Sequence, residues 1–211
     1  MIRNRISIDE DLADGIVARI YYNDTVKGIG IMSVDLPELR TIRYPRHPGI
    51  SPSVCEAFSE AADVCLSRYH LPPRTEYVIE FRNNMSRRGL YWRKPDTTAE
   101  RAWLNRDDAT RDAAYIIALA AAEKELGLVA LSRAETRTGA DYYIGQPNAI
   151  DLEDAIRLEV SGVDHGDRPA IRRRLRQKEE QVRRGDSYLP AYASVVGFRE
   201  TIIIMSFVGG L

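Results

Sequence analysis

The stretch AAYIIALAAA, at residues 113–122, decides the fold class because it is apolar on every face of a helix. Asp107 and Asp108 precede it and suit the positive end of the helix dipole. Gly127 follows it at the position where helices commonly end. We therefore predict a helix from residue 107 to residue 126 that is buried against a sheet.

The chain after this helix predicts strands interrupted by one further helix. Strands are expected over 128–136, 140–146 and 155–161, a basic helix over 169–184, and short strands over 189–198 and 201–208. This order predicts an α/β fold, in which a helix–strand–strand–strand–helix–strand sandwich surrounds a central mixed sheet.

The chain before the apolar helix predicts an α+β layer. Residues 15–36 alternate as two strands, and residues 37–50, with three prolines, predict a surface loop. Ser51-Pro52 begins an amphipathic helix over 52–69, a strand follows over 75–82, and residues 83–106 are expected to be irregular. We divide the chain into an N-terminal α+β region of unknown role, 1–106, and an α/β core, 107–211, with a single compact unit as the alternative.

Composition limits the classes of function. The chain has 211 residues and a net charge of -1, so any contact with an anionic polymer must come from local basic patches. Cys55 and Cys65 lie on the apolar side of one helix and are expected to be reduced, which favours the cytoplasm. No signal-peptide pattern opens the chain, and its longest apolar runs are too short to cross a bilayer, so we expect no membrane partner.

Two acidic residues stand in otherwise apolar strands. Asp141 lies in GADYYI at 139–144, and Glu159 lies in IRLEVSG at 156–162. An unpaired charge in a buried strand costs several kcal/mol, so each carboxylate needs a partner. Two such acids on neighbouring strands can share a divalent cation. The pair therefore indicates a metal-dependent hydrolase.

These acids and the order of elements resemble the core of the PD-(D/E)XK nuclease superfamily, over about residues 107–208. The resemblance implies that Asp141 and Glu159 bind the metal ion, and that Glu123, or less readily Glu125, joins them from the first helix. It also implies Mg²⁺ or Mn²⁺ as cofactor and a phosphodiester, most plausibly in DNA, as substrate.

The sequence departs from the family pattern at one position. The family lysine is expected two residues after the second acid, and Ser161 stands there. Lys178 on the following helix is the candidate replacement, with Gln181 one turn later as a further hydrogen-bonding group. The predicted catalytic set is therefore Asp141, Glu159 and Lys178.

Simpler interpretations of the same residues stay open. Asp141 can pair with Arg137 or Arg157, and Glu159 can face solvent on an edge strand. Glu123 is otherwise the solvated end of a helix, and Lys178 an ordinary surface cation.

Two basic patches are candidate nucleic-acid contacts. On the predicted helix over 169–184 the candidates are Arg172, Arg173, Arg176 and Arg183. In the segment 82–106, Arg93 and Lys94 stand beside Trp92 and other aromatic residues that can stack on bases. The alternatives are a solvated face for the helix and a loop anchored on the core by its tryptophans.

The sequence thus predicts a magnesium-dependent endonuclease, or a nuclease-like subunit, that acts on DNA in the cytoplasm. The alternative is a catalytically inactive binding or scaffold protein of the same fold that contacts nucleic acid or a larger complex. Homo-oligomerisation stays open. No Cys or His pair has zinc-ligand spacing, and no phosphate-binding loop is present, so zinc and nucleotide-driven functions are disfavoured.

Overall fold

The computed structural model describes residues 35–149 and 151–209, which form seven strands and four α-helices. The helices are α1 (Pro52–Ser67), α2 (Thr97–Ala102), α3 (Arg106–Leu126) and α4 (Arg168–Arg183). The strands are β1 (Arg74–Phe81), β2 (Asn84–Tyr91), β3 (Val129–Arg133), β4 (Tyr142–Gly145), β5 (Ile156–Val163), β6 (Ala191–Gly197) and β7 (Ile202–Val208).

All seven strands belong to one mixed sheet, in the order β2-β1-β7-β6-β5-β4-β3. The β1/β7 and β5/β6 pairs are parallel, and the other neighbours are antiparallel. Helix α3 packs on one face of the sheet together with α1, and α4 packs on the other face. The α/β sandwich predicted from the sequence is confirmed.

Helix α3 forms the largest part of the core. The Asn105 side chain accepts hydrogen bonds from the first backbone N–H groups, and Gly127 ends the helix with a φ of 69° in the left-handed region. Every residue from Ala113 to Ala122 is buried. A helix this apolar requires cover on all sides, and the sheet and α1 supply it.

Helix α4 is amphipathic, unlike α3. Its N-cap is Asp167, whose side chain accepts a hydrogen bond from the Ala170 N–H. Ile171, Leu175 and Val182 are buried against β6 and β7. Of the basic residues between them, Arg174 and Lys178 reach β5, whereas Arg173 and Arg176 are exposed.

The expectation that residues 83–106 are irregular is wrong, because they contain β2 and α2. Arg82 and Asn83 form a two-residue hairpin turn, both with positive φ, and place β2 antiparallel to β1. As an edge strand, β2 keeps much of its surface in water, which explains its weak apolar alternation.

The segments before residue 107 build onto the same sheet as the predicted core. Strand β1 pairs with β7, and β2 completes that side of the sheet. The two strands predicted over 15–36 fall almost wholly outside the described residues. Within the described residues, no helix combines the length and apolarity needed to cross a bilayer.

Candidate functional site

Strand β5 positions the second predicted acid inside the sheet. It lies between β4 and β6, and its alternate residues Arg157, Glu159 and Ser161 all contact α4 or its C-terminal end. The Glu159 side chain is 3% exposed, so it does not face solvent from an edge strand. The geometry of the site is therefore set by how β5 packs under α4.

Asp141 stands immediately before β4 and completes that strand's pairing with β5. Its N–H donates to the Leu158 carbonyl oxygen at 2.9 Å, and its Oδ2 accepts from the Val160 N–H at 2.9 Å. Its Oδ1 accepts from the Tyr115 hydroxyl at 2.8 Å. The side chain thus extends the ladder at the point where β4 begins, which fixes the carboxylate beside Glu159.

Glu159 has a cation on one side and a second carboxylate on the other. Lys178 Nζ donates to Glu159 Oε1 at 2.6 Å and to Gln181 Oε1 at 3.0 Å. Burial and the nearby negative charge of Asp141 raise the pKa of Glu159 to about 7, although Lys178 opposes the rise. Asp141 and Glu159, named here the carboxylate pair, are brought together with Lys178 beside Glu159.

Ser161 occupies the position of the expected lysine, and its hydroxyl is also engaged by α4. Arg174 Nε donates to Ser161 Oγ at 2.7 Å. Two consecutive turns of α4 therefore send a cation down to β5, at Arg174 and at Lys178. Only the second of them reaches a carboxylate of the pair.

The carboxylate pair opens onto a cavity of about 720 Å³ at one edge of the sandwich. Its walls come from the segment between β3 and β4, from β5, and from the C-terminal end of α4 with the residues after it. Three arginines, Arg133, Arg137 and Arg184, line it beside the acids. The cavity is thus a polar cleft in which an anion can meet both carboxylates and cations.

Arg157 and two glycines hold the walls of this cavity together. The buried Arg157 guanidinium donates to the carbonyl oxygens of Thr138, Val182 and Leu189. A Cβ on Gly139 would lie 2.8 Å from the Gln181 carbonyl oxygen, and a Cβ on Gly185 would collide with the Thr138 carbonyl. The β3–β4 segment and the end of α4 therefore meet backbone to backbone.

The structure does not bring Glu123 to the carboxylate pair. Its carboxylate accepts from Arg46 Nε at 2.7 Å and pairs with His47 Nε2 at 2.9 Å. Burial acts to raise the pKa of Glu123, but the hydrogen bonds from His47 and Arg46 outweigh it and hold the pKa below its usual value. From Tyr115, which reaches Asp141, Glu123 lies eight residues further along α3, or roughly 12 Å at 1.5 Å per residue.

His47 is a buried contact that the sequence did not predict. Its Nδ1 accepts from the Ala130 N–H at 3.0 Å, so the other ring nitrogen, Nε2, carries the proton donated to Glu123. Glu125, the second choice on this helix, accepts from Arg88 Nε at 2.7 Å. The acids at the end of α3 thus tie other segments to the helix.

The basic residues of α4 divide between two uses. Arg172 Nη2 donates to Glu80 Oε2 at 2.6 Å, and Arg168 also pairs with Glu80. Arg173, Arg176 and Arg183 are exposed, and the described residues give them no acidic partner. These three residues, named here the arginine face, are the ones that fit a contact with phosphates; Arg172 also has a structural role.

The patch that contains Arg93 and Lys94 lies far from the carboxylate pair. Both residues are exposed and follow β2, the edge strand four positions from β5, which is roughly 19 Å at about 4.8 Å per strand. Trp92 is buried, and its Nε1 donates to Thr75 Oγ1 at 3.0 Å. This tryptophan anchors the loop to the core.

Sequence reasoning missed Tyr115 and Arg133 beside the pair. Tyr115 is the only residue of 113–122 whose side chain can form hydrogen bonds, and that was the available signal. Arg133 ends β3 and stacks on the rings of Tyr115 and Tyr142. No pattern in the sequence marks Arg133, because the contact is made only in the folded sheet.

A two-carboxylate site is compatible with a hard divalent cation. Among residues 35–149 and 151–209, no group of three or more His, Cys, Asp or Glu side chains is arranged to hold a metal ion. Mg²⁺ needs only one or two protein carboxylates, because waters and substrate oxygens complete its octahedron. The two adjacent carboxylates of the pair fit that requirement.

Comparison of the chain with protein-family models, with curated proteins and with solved structures gave no match.

Proposed function

We propose that the protein is a metal-dependent phosphodiester hydrolase that acts on DNA at the carboxylate pair. The observation that carries this proposal is the juxtaposition of the half-buried Asp141 and the buried Glu159 at the wall of a polar cavity, with Lys178 paired to Glu159. A purely structural acid would be expected to have a full cationic partner rather than a second acid.

Asp141 and Glu159 would hold Mg²⁺ or Mn²⁺ in this proposal. A divalent cation there offsets charge that develops at phosphorus and lowers the pKa of a bound water. Glu159 must lose its proton to act as a ligand, and Lys178 stabilises that ionised form. The ammonium group of Lys178, held by Gln181, is also placed to orient an attacking water.

The arginine face supports the same proposal. Arg173, Arg176 and Arg183 lie on the exposed face of the helix that carries Lys178, and the C-terminal end of this helix borders the cavity. Such contacts supply sequence-independent affinity that weakens as salt rises. Arg93 and Lys94 are too distant to share one short duplex segment with the cavity, and we assign them no part in cleavage.

The test is cleavage of plasmid DNA and of RNA by the purified full chain with Mg²⁺ or Mn²⁺. Asp141→Asn and Glu159→Gln are each expected to lower the metal-dependent rate by more than about 100-fold. This loss exceeds the one expected when a residue that only supports a metal ligand is removed. Both variants keep acceptor oxygens, so the circular dichroism spectrum should stay native. Glu80→Gln, a buried glutamate under the same helix, is the matched control and should cleave at the wild-type rate.

A binding protein without catalysis is the second candidate, and one observation favours it. Ser161 stands in the lysine position and is held by Arg174 rather than facing the carboxylate pair. In that case the wild-type protein would bind DNA, cleave neither DNA nor RNA with either metal, and release no heat on titration with Mg²⁺ or Mn²⁺. That result would remove the hydrolase proposal.

A further inference from the structure

Arg133 occupies the wall of the cavity on the Asp141 side and is held there by two aromatic rings. Its guanidinium carbon lies 4.4 Å from the ring centre of Tyr115 and 4.5 Å from that of Tyr142. Its Nη2 donates to the Tyr115 hydroxyl at 3.1 Å. Half of the side chain remains exposed, so the group is fixed in direction without being covered.

Arg133 approaches Asp141 without forming a hydrogen bond to it. The distance from Arg133 Nη2 to Asp141 Oδ1 is 3.6 Å, compared with 2.6 Å between Lys178 Nζ and Glu159 Oε1. The Tyr115 hydroxyl lies between them, since it accepts from Arg133 and donates to Asp141. The guanidinium therefore keeps most of its five N–H donors available to another acceptor.

The chemistry of the cavity identifies that acceptor. A planar guanidinium matches two oxygens of a phosphate, and its stacking on aromatic rings removes the rotamer freedom that binding would otherwise cost. Arg133 and Lys178 flank the carboxylate pair from opposite sides, Arg133 beside Asp141 and Lys178 beside Glu159. An anion held by Arg133 thus lies against the two acids.

We propose that Arg133 is the phosphate-binding residue of the cavity and contacts non-bridging oxygens of a nucleic-acid phosphodiester next to Asp141. The choice of a phosphodiester rests on the proposed function. In this arrangement Tyr115 and Tyr142 are positioning residues: they aim the guanidinium and keep it from closing onto Asp141. Arg137 and Arg184, which line the same cavity, are placed to contact neighbouring phosphates.

The experiment measures binding separately from cleavage. Every protein carries Glu159→Gln, which stops hydrolysis and removes one negative charge, and binding of a fluorescein-labelled DNA duplex is followed by anisotropy over a series of salt concentrations. Arg133→Gln is expected to weaken binding about tenfold or more, the range for a charge-assisted hydrogen bond. The slope of log K against log salt should fall by about 0.9, the value for one lost phosphate contact.

Two further variants separate phosphate binding from a structural role. Arg87→Gln removes an arginine that is 74% exposed on β2, and it should change neither affinity nor slope. Arg133→Lys keeps the charge. The slope of log K against log salt should therefore equal that of the protein with Glu159→Gln alone, while the affinity for DNA falls. If Arg133→Gln and Arg133→Lys both bind DNA with the affinity and salt slope of the protein with Glu159→Gln alone, Arg133 only packs against the tyrosines and the proposal is wrong.

Failure of the phosphate-site proposal and failure of the hydrolase proposal give different experimental results. If the wild-type chain cleaves nothing but Arg133→Gln lowers the salt slope, the phosphate site stands and the hydrolase proposal falls. If the wild-type chain cleaves DNA and the single variant Arg133→Gln cleaves with unchanged kcat and KM, the hydrolase proposal stands and the phosphate site falls.

Discussion

Helix α4 covers two buried glutamates that differ in their charged neighbours. Glu80 on β1 faces two arginines, Arg168 and Arg172, which together are named here the β1 ion cluster. Glu159 on β5 faces one lysine and a second carboxylate. The first glutamate has two cationic partners, whereas the second has one cationic partner and a neighbouring acid. A buried acid that the fold places beside a second acid and a cavity is the better marker of function.

The largest expected difference between the two glutamates is in the pH dependence of stability. The folded chain keeps the Glu159 proton up to about pH 7, whereas the unfolded chain loses it near 4.5, the ordinary pKa of a glutamate. Between these values the folded state binds more protons, so this contribution to stability is present at low pH and is lost as pH rises. Urea unfolding should show that the wild type loses roughly 2–3 kcal/mol relative to Glu159→Gln between pH 5 and pH 8.

The comparison of wild type with Glu159→Gln at each pH cancels the titration of the carboxylates that do not interact with Glu159. Equal pH dependence of the two proteins would contradict the raised pKa of Glu159. Glu80→Gln should retain the wild-type difference between pH 5 and pH 8, because it leaves Glu159 and its neighbours unchanged.

Removal of the charge on Glu80 should affect stability alone. Glu80→Gln is expected to lower the free energy of unfolding at pH 8 by about 1–2 kcal/mol. The value lies below that for a fully buried ion pair, because Arg168 and Arg172 are about half exposed and regain water. Denaturant unfolding measures it, and Glu159→Gln at the same pH should be no less stable than the wild type. A Glu159→Gln protein less stable than Glu80→Gln would reverse the assignment of the two sites.

The smallest expected effect is stabilisation by a divalent cation. At a Mg²⁺ concentration ten times its dissociation constant, binding adds about 1.4 kcal/mol. For a chain of this size the melting temperature should rise by roughly 3–6 °C. Differential scanning fluorimetry at pH 8 should detect this rise in the wild type and in Glu80→Gln. The same rise in Glu159→Gln would mean that the cation binds elsewhere.

The sequence predicted those parts of the fold in which local pattern and burial agree. The helix over 113–122 and its end at Gly127 are apolar and capped as expected, and the basic helix begins within one residue of the predicted start. Strand β2 was missed because an edge strand with Arg87, Arg88 and Gly89 lacks the alternation that marks a half-buried strand.

Residues of the site could be predicted from the sequence only where the pattern of a single strand or helix was sufficient. Asp141 and Glu159 were visible because an acid in an apolar strand needs a partner. Lys178 was a candidate only through the resemblance to the nuclease core, as a replacement for the expected lysine, and the structure brings it to Glu159. The partners of Glu123 come from Arg46 and His47, in a segment predicted only as a surface loop, and such long-range contacts leave no local pattern.

Asp141 is both a member of the carboxylate pair and a hydrogen-bond acceptor for the sheet backbone. This double role limits which substitutions can be accepted at the position during evolution. Its Oδ2 accepts the Val160 N–H where β4 begins, so alanine at this position would leave a buried donor without an acceptor. If the protein is the proposed hydrolase, a descendant that lost the activity would still be under pressure to keep an acceptor at position 141. Glu159 has no such role toward the backbone, so we expect substitutions to accumulate there first. The residue at position 159 is therefore the better guide to whether a descendant retains the proposed activity.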